Sequence, residues 1–156
     1  MQDSPAHRAI ASLQRLAEAF AERRRQLAAT AGLTETQWRV LEEVGGEDFL
    51  PSMFARRRAV TAAAVSRTLR QLLERELVQA RIGAEDGRQR VYRLTAKGRR
   101  ALGRVHEARE AAVRQVWATL PRAEIEAFSA FSEELAERLE IYAEKHRSPP
   151  GRRTKG

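Results

Sequence analysis

The 156-residue chain contains no cysteine, which excludes disulfides, thiolate metal sites and thiol redox sensing. Histidine is scarce as well: His7, His106 and His146 lie far apart, and none has a second histidine three or four residues away. A zinc site without cysteine would need them to converge with carboxylates, so no metal is expected. Long apolar runs are missing too. The early apolar residues are broken by Arg8, Arg15, Glu18 and Glu22, so neither a signal peptide nor a membrane span fits, and a cytoplasmic location is expected. No glycine-rich loop is placed to cradle a phosphate. Ser66 has no nearby histidine to activate it, and Glu42-Glu43 and Glu133-Glu134 read as charged helix faces rather than acid–base pairs. These absences argue against an enzyme, and no cofactor is expected.

What the chain does have is charge, unevenly placed. With 42% hydrophobic and 32% charged residues it has the composition of a soluble globular protein rich in charged helices, and the length of one domain. Residues 56–104 hold 14 basic and 4 acidic side chains, a balance of +10 against a whole-chain net charge of +8. The flanking segments are mildly acidic: 6 basic against 8 acidic in residues 1–55, and 5 against 9 in residues 105–146. A solvated surface would account for basic residues as such. Their concentration in one block favours a surface that meets a polyanion, because phosphate neutralisation needs cations within a Debye length of each other, about 8 Å at physiological salt.

Periodicity orders the chain. Ile10, Leu13, Leu16, Ala17, Phe20 and Leu27 recur at helical spacing and predict a helix over residues 6–29, ended by Gly32. Thr34 with Gln37 is a capping-box pattern, opening a second helix with Trp38, Leu41 and Val44 on its apolar side, stopped by Gly45-Gly46. Pro51 suits the first turn of a short third helix through Arg57, and Thr61 is a good cap for a fourth over about residues 62–76. From Val78 the period becomes two. Val78, Ala80 and Ile82 alternate, Gly83 to Gly87 carry turn chemistry, and Arg90 to Leu94 alternate again, which predicts a β-hairpin. Thr95 caps a long helix expected to reach about Thr119, with Leu102, Val105, Ala112, Val113, Val116 and Trp117 on its buried side. Pro121 restarts a last helix with Ile125, Phe128, Phe131, Leu135, Leu139 and Tyr142 along one stripe, and Ser148 to Arg153 read as a disordered basic tail.

The expected fold class is therefore mainly α with a small β-hairpin wing: a winged helix-turn-helix domain plus terminal helices. The expected divisions are a dimerisation helix (1–32), a DNA-binding lobe (33–98), C-terminal dimerisation helices (99–146) and the tail (147–156). A small central lobe cannot bury all the terminal stripes, so packing against a second copy is the economical solution. Packing within one monomer is the alternative.

Function is expected to lie on the fourth helix and the hairpin. At 100° per residue, Val65, Leu69 and Leu72 share one side of the helix, while Ala63, Arg67, Arg70 and Glu74 share the other. Ala62 and Ser66 flank that outer face on one side and Ala64 on the other. Small residues first, arginines next, is what a helix entering the major groove needs: little bulk near the bases, then a guanidinium able to bond guanine or grip phosphate. The hairpin tip, Asp86-Gly87-Arg88, and the return strand, with Arg90 and Arg93, suit a minor groove whose negative potential attracts guanidinium. Asp86 can hold the turn or orient Arg88.

These residues carry a family resemblance. Leu33 to Leu41, reading Leu-Thr-Glu-Thr-Gln-Trp-Arg-Val-Leu, is similar to the second-helix pattern of the MarR family of bacterial winged-helix regulators. Val60-Thr61 followed by Val65-Ser66-Arg67 and Leu69 resembles the opening of its recognition helix. Asp86-Gly87-Arg88, five residues, then Leu94-Thr95 and Gly98 resembles its wing signature in identity and spacing. The resemblance spans about residues 6–146. It implies that Ala62 to Arg67 enter the major groove, that Thr61 caps the helix and touches phosphate, and that Arg88 reaches the minor groove. It also implies a dimer interface made by the terminal helices, with a cleft beside the DNA-binding lobe that can take a small-molecule effector; no residue can be assigned to that cleft. Two positions depart from the family pattern. Arg58 stands where a buried leucine is usual, and it is expected to point outward and join Arg56 and Arg57 in a phosphate-facing cluster. Glu76 stands where a helix-ending glycine is usual, at a cost of about 1 kcal/mol in a left-handed cap.

The function these expectations converge on is a homodimeric, sequence-specific regulator of transcription, a repressor on a pseudo-palindromic duplex. Two rivals share the same surface: an architectural, nucleoid-type DNA binder without an operator, and a protein-interaction module on the same fold.

Overall fold

The computed structural model describes residues 4–46, 49–82 and 90–147. Its elements run α1 (Pro5–Thr30), α2 (Glu35–Gly45), α3 (Pro51–Arg57), α4 (Ala62–Glu74), β1 (Val78–Ile82), β2 (Arg90–Leu94), α5 (Ala96–Gln115), a 3-10 turn (Trp117–Thr119) and α6 (Arg122–Lys145). The strands pair antiparallel with Val78 opposite Leu94, Ala80 opposite Tyr92 and Ile82 opposite Arg90. The fold is thus mainly helical with one hairpin. The expected turn residues Asp86, Gly87 and Arg88 and the basic tail lie outside the described residues. Among those described, no helix is long and apolar enough to cross a membrane.

The chain divides into two compact units, Met1–Glu110 and Ala111–Gly156. The first unit holds the buried core. Leu27 and Ala28 at the end of α1, Val40, Leu41 and Val44 of α2, Phe54 of α3, Val65, Leu69 and Leu72 of α4, Val78 at the root of β1, and Ala101, Leu102 and Val105 of α5 all contribute. The second unit holds the end of α5, the 3-10 turn and α6, and none of its described residues is fully buried.

Local chemistry sets the helix starts. Thr34 and Gln37 form the full capping box, the Thr34 hydroxyl accepting from the Gln37 amide and the Gln37 side chain accepting from the Thr34 amide, each at 3.1 Å. Pro51 occupies the first turn of α3, and the Thr61 hydroxyl accepts from the Ala64 amide at 3.1 Å to cap α4. Three helix ends share one closing device. At α1, α3 and α4 a residue in the left-handed region is followed by an amide that bonds five residues back: Leu33 to Ala28, Val60 to Ala55 and Leu77 to Leu72. Gly32 fills the left-handed position after α1 with φ 65°, whereas Ala59 (φ 51°) and Glu76 (φ 57°) hold it as strained non-glycine residues. Glu76 is where the sequence places the strain; nothing local signals Ala59.

The hairpin root is fastened to α5. The Thr95 hydroxyl donates to the Glu76 carbonyl at 2.7 Å and accepts from the Gly98 amide at 3.0 Å. A Cβ on Gly98 would fall 2.0 Å from the Leu77 carbonyl oxygen, so only glycine allows the first turn of α5 to press this closely.

Some sequence expectations need correction. The helix expected to reach Thr119 ends at Gln115 and tightens into the 3-10 turn. Pro121 forces Leu120 into an extended conformation (ψ 149°), so no α-helix can run through this point. Val113 and Val116, expected on the buried side, are exposed, and Ala112 and Trp117 are half-buried. Helix α4 stops at Glu74 rather than 76. Among the described residues of the hairpin only Val78 is buried; Ala80 and Ile82, whose burial the sequence left open, are exposed because a two-stranded ribbon leaves the helices behind after its root.

Candidate nucleic-acid interface

Helix α4 has two unlike faces. Val65, Thr68, Leu69 and Leu72 are buried, with the Thr68 hydroxyl spent on the Ala64 carbonyl at 3.0 Å. Thr61, Ala62, Ala63, Ser66, Arg67 and Arg70 are exposed, and Ala64 is half-buried. Neither Arg67 nor Arg70 has a hydrogen bond or ion pair among the described residues, so both guanidiniums point their donors at solvent.

A polar network fixes the helix. The buried Gln37 side chain donates to Gln71 Oε1 at 3.1 Å, and its own carbonyl oxygen accepts from Arg75 Nη1 at 3.0 Å. Arg75 Nη2 then reaches the Gly32 carbonyl at 2.9 Å. One end of α4 is thereby tied to the start of α2 and the end of α1, which sets the angle at which the outer face is presented. Sequence reading missed this network. Gln71 and Arg75 occupy one helix side at a spacing of four, but nothing in a single sequence names their partners 34 and 38–43 positions away. A second tie joins α1 to α2, where Glu35 Oε1 accepts from Arg24 at 2.8 Å and Arg39 at 2.5 Å. Burial works to raise the Glu35 carboxyl, and the two guanidiniums outweigh it, holding its pKa below the usual carboxylate range.

The arginines of α3 are placed differently. Arg56 is exposed with no partner among the described residues. Arg57 and Arg58 converge on one carboxylate from α2: Glu43 Oε2 accepts from Arg57 at 2.7 Å and Oε1 from Arg58 at 3.1 Å. Arg58 also lies over the Phe54 ring at 6.0 Å. Arg58 does point outward, as expected. Of the three arginines expected to form a phosphate-facing cluster, two share an acidic partner that the sequence did not indicate.

On the hairpin, Arg90 and Arg93 are exposed and unpaired among the described residues. The Tyr92 ring stands edge-on to Phe49 at 6.0 Å, and Phe49 meets Phe54 at 6.1 Å, so an aromatic chain links β2 to α3. Asp86, Gly87 and Arg88, assigned to the wing tip by sequence, lie outside the described residues. An open groove of about 940 Å³ runs beside β2, lined by Val44, Phe49, Tyr92, Leu94, Arg90 and Arg99 among others. Among the described residues no three His, Cys, Asp or Glu side chains come together to hold a metal ion.

Known proteins place this geometry. None of the curated proteins matches the chain in sequence. The model of the MarR family matches residues 31–89, from just after α1 to just before β2. A solved MarR family transcription regulator superposes with a TM-score of 0.80 at 16% identity, over 89% of this chain and 93% of its own. Staphylococcus aureus MarR, solved in complex with salicylate and kanamycin, gives 0.74 at 18% identity over 87% and 93%. A Staphylococcus aureus MepR–DNA complex gives 0.64 at 20% identity over 80% and 96%. At these identities the likeness is one of fold. Residues 31–89 are thus similar to the MarR family, and the fold is that of solved MarR family transcription regulators.

Proposed function

We propose that the protein is a homodimeric, sequence-specific DNA-binding regulator that represses transcription from a pseudo-palindromic operator. The observation that carries this is the outer face of α4: small residues at Ala62, Ala63 and Ser66, then the unpaired guanidiniums of Arg67 and Arg70, on a helix held rigidly by Gln37 and Arg75. In this reading Ala62, Ala63, Ala64, Ser66 and Arg67 meet base edges in the major groove. Thr61, Arg70, Arg56 and Arg57 meet phosphate, and Arg88 and Arg90 meet the adjacent minor groove. The MepR complex supports it, since a protein of the same fold was solved on DNA.

The dimer is proposed on the apolar side chains left uncovered in the single chain. Ile10, Leu13 and Leu16 on α1, and Phe128, Phe131, Leu139 and Tyr142 on α6, are exposed. Exposed apolar side chains recurring along each of these helices support a partner for each. Residues 1–32 and 99–146 would form it and residues 33–98 the DNA-binding lobe. A small-molecule effector that favours one lobe spacing would release the duplex, provided it binds the two spacings unequally. That the MarR neighbour was solved with salicylate supports a response of this kind.

Selection of bound sequences from random duplexes tests the reading. The expected result is one consensus of two inverted half-sites about 10 bp apart, one helical turn. Enrichment without a consensus would leave an architectural binder, a lone half-site would overturn the dimer, and no enrichment would leave a protein-binding module.

A further inference from the structure

We propose that Glu43 is a positioning residue for DNA, holding Arg57 and Arg58 as a fork that receives one backbone phosphate; the inference rests on the regulator reading above. The geometry separates the roles. The Glu43 side chain retains 22% of its exposure, whereas Arg57 and Arg58 retain 60% and 45%, so the carboxylate lies beneath the pair and the guanidiniums lie outermost. Each carboxylate oxygen takes one Nη2 donor, one from each arginine. A guanidinium has five N–H donors, so each arginine keeps four for an incoming anion.

Adjacent arginines repel each other, and their long side chains lose rotamer freedom when a ligand fixes them. Glu43 offsets the repulsion and fixes the rotamers before DNA arrives. The Phe54 ring under Arg58 constrains the second arm further. The three charges sum to +1, which suits a single phosphodiester rather than a diffuse run of phosphates. The fork stands at the end of α3, separated by Ala59 and Val60 from Thr61, the cap of the helix proposed to read bases. A phosphate held here would set the register of α4 in its groove without carrying sequence information.

A simple acidic partner predicts the opposite behaviour. If Glu43 only neutralised two cations, removing its charge would tighten DNA binding and steepen its salt dependence. The test is the salt dependence of binding to a selected duplex, for the full chain and for Glu43→Gln, with melting curves to confirm folding. Positioning predicts roughly fivefold weaker binding at physiological salt and a salt slope shallower by about 1. In an Arg57→Ala, Arg58→Ala background the same substitution should change nothing. Tighter or unchanged binding by Glu43→Gln, or an equal loss in the background lacking both arginines, would overturn the fork. If the unmodified chain bound no duplex, the regulator reading would fall and the fork with it. If it bound normally and ignored Glu43→Gln, the fork alone would fall.

Discussion

The inner and outer faces of α4 are built from one stretch of 13 residues, yet they have opposite relations to the rest of the molecule. Leu69 and Leu72 are almost wholly enclosed, and Thr68 turns its hydroxyl back on its own helix. Arg67 and Arg70, one or two positions away, are exposed and make no hydrogen bond or ion pair among the described residues. The α3 arginines stand between these extremes, exposed but held by Glu43. Side chains of the first kind set stability, those of the second are free for a ligand, and those of the third are arranged before one arrives. A surface helix serving only as scaffold would have no reason to hold its outer cations so differently from its neighbour's.

The contrast can be broken by substitutions that should act on one side only. The largest effect is expected from Leu72→Ala. Deleting a fully buried leucine should cost about 3 kcal/mol of unfolding free energy by chemical denaturation, with the selected consensus unchanged wherever the protein remains folded. Next comes Arg67→Ala, which should weaken duplex binding by about 1–3 kcal/mol and relax preference at one base pair per half-site. Its unfolding free energy should stay within about 0.5 kcal/mol, as for surface positions without partners. A variant that lost stability and kept specificity would reverse the assignment of the faces. The smallest effect should come from Ala59→Gly, in the turn between α3 and α4. Relief of the left-handed strain at φ 51° should stabilise the protein by up to about 1 kcal/mol, offset in part by the entropy of an added glycine. A drop in stability there would mean that the Ala59 methyl group makes contacts worth more than the strain.

Much of this was legible in the sequence because it is encoded within a few residues. Thr34 with Gln37, Pro51 and Thr61 each satisfy amide groups of the helix they start, so the helix starts follow from local chemistry. The two faces of α4 follow from a period of 3.6. What escaped is encoded at long range or by the absence of a signal. Glu43 looks like one more charge on a helix face until α3 folds over it and supplies guanidiniums 14 and 15 positions away. Gln37 could be read as a cap, but its second duty, bridging to Gln71 and Arg75, needs the packed helices. Ala59 adopts a glycine-like conformation with no glycine to announce it, driven by closure of the turn rather than by propensity. The alternation in β1 predicts a strand, and the exposure of Ile82 shows that period two marks a strand without saying what covers it.

The central claim is that the exposed face of α4 reads sequence rather than merely attracting phosphate. Its most direct test is the ratio of affinities for the selected duplex and for a scrambled duplex of equal length and composition, at one physiological salt concentration. A reader of bases should prefer its own site by about a thousandfold or more. A ratio close to one, with both affinities falling together as salt rises, would contradict the account.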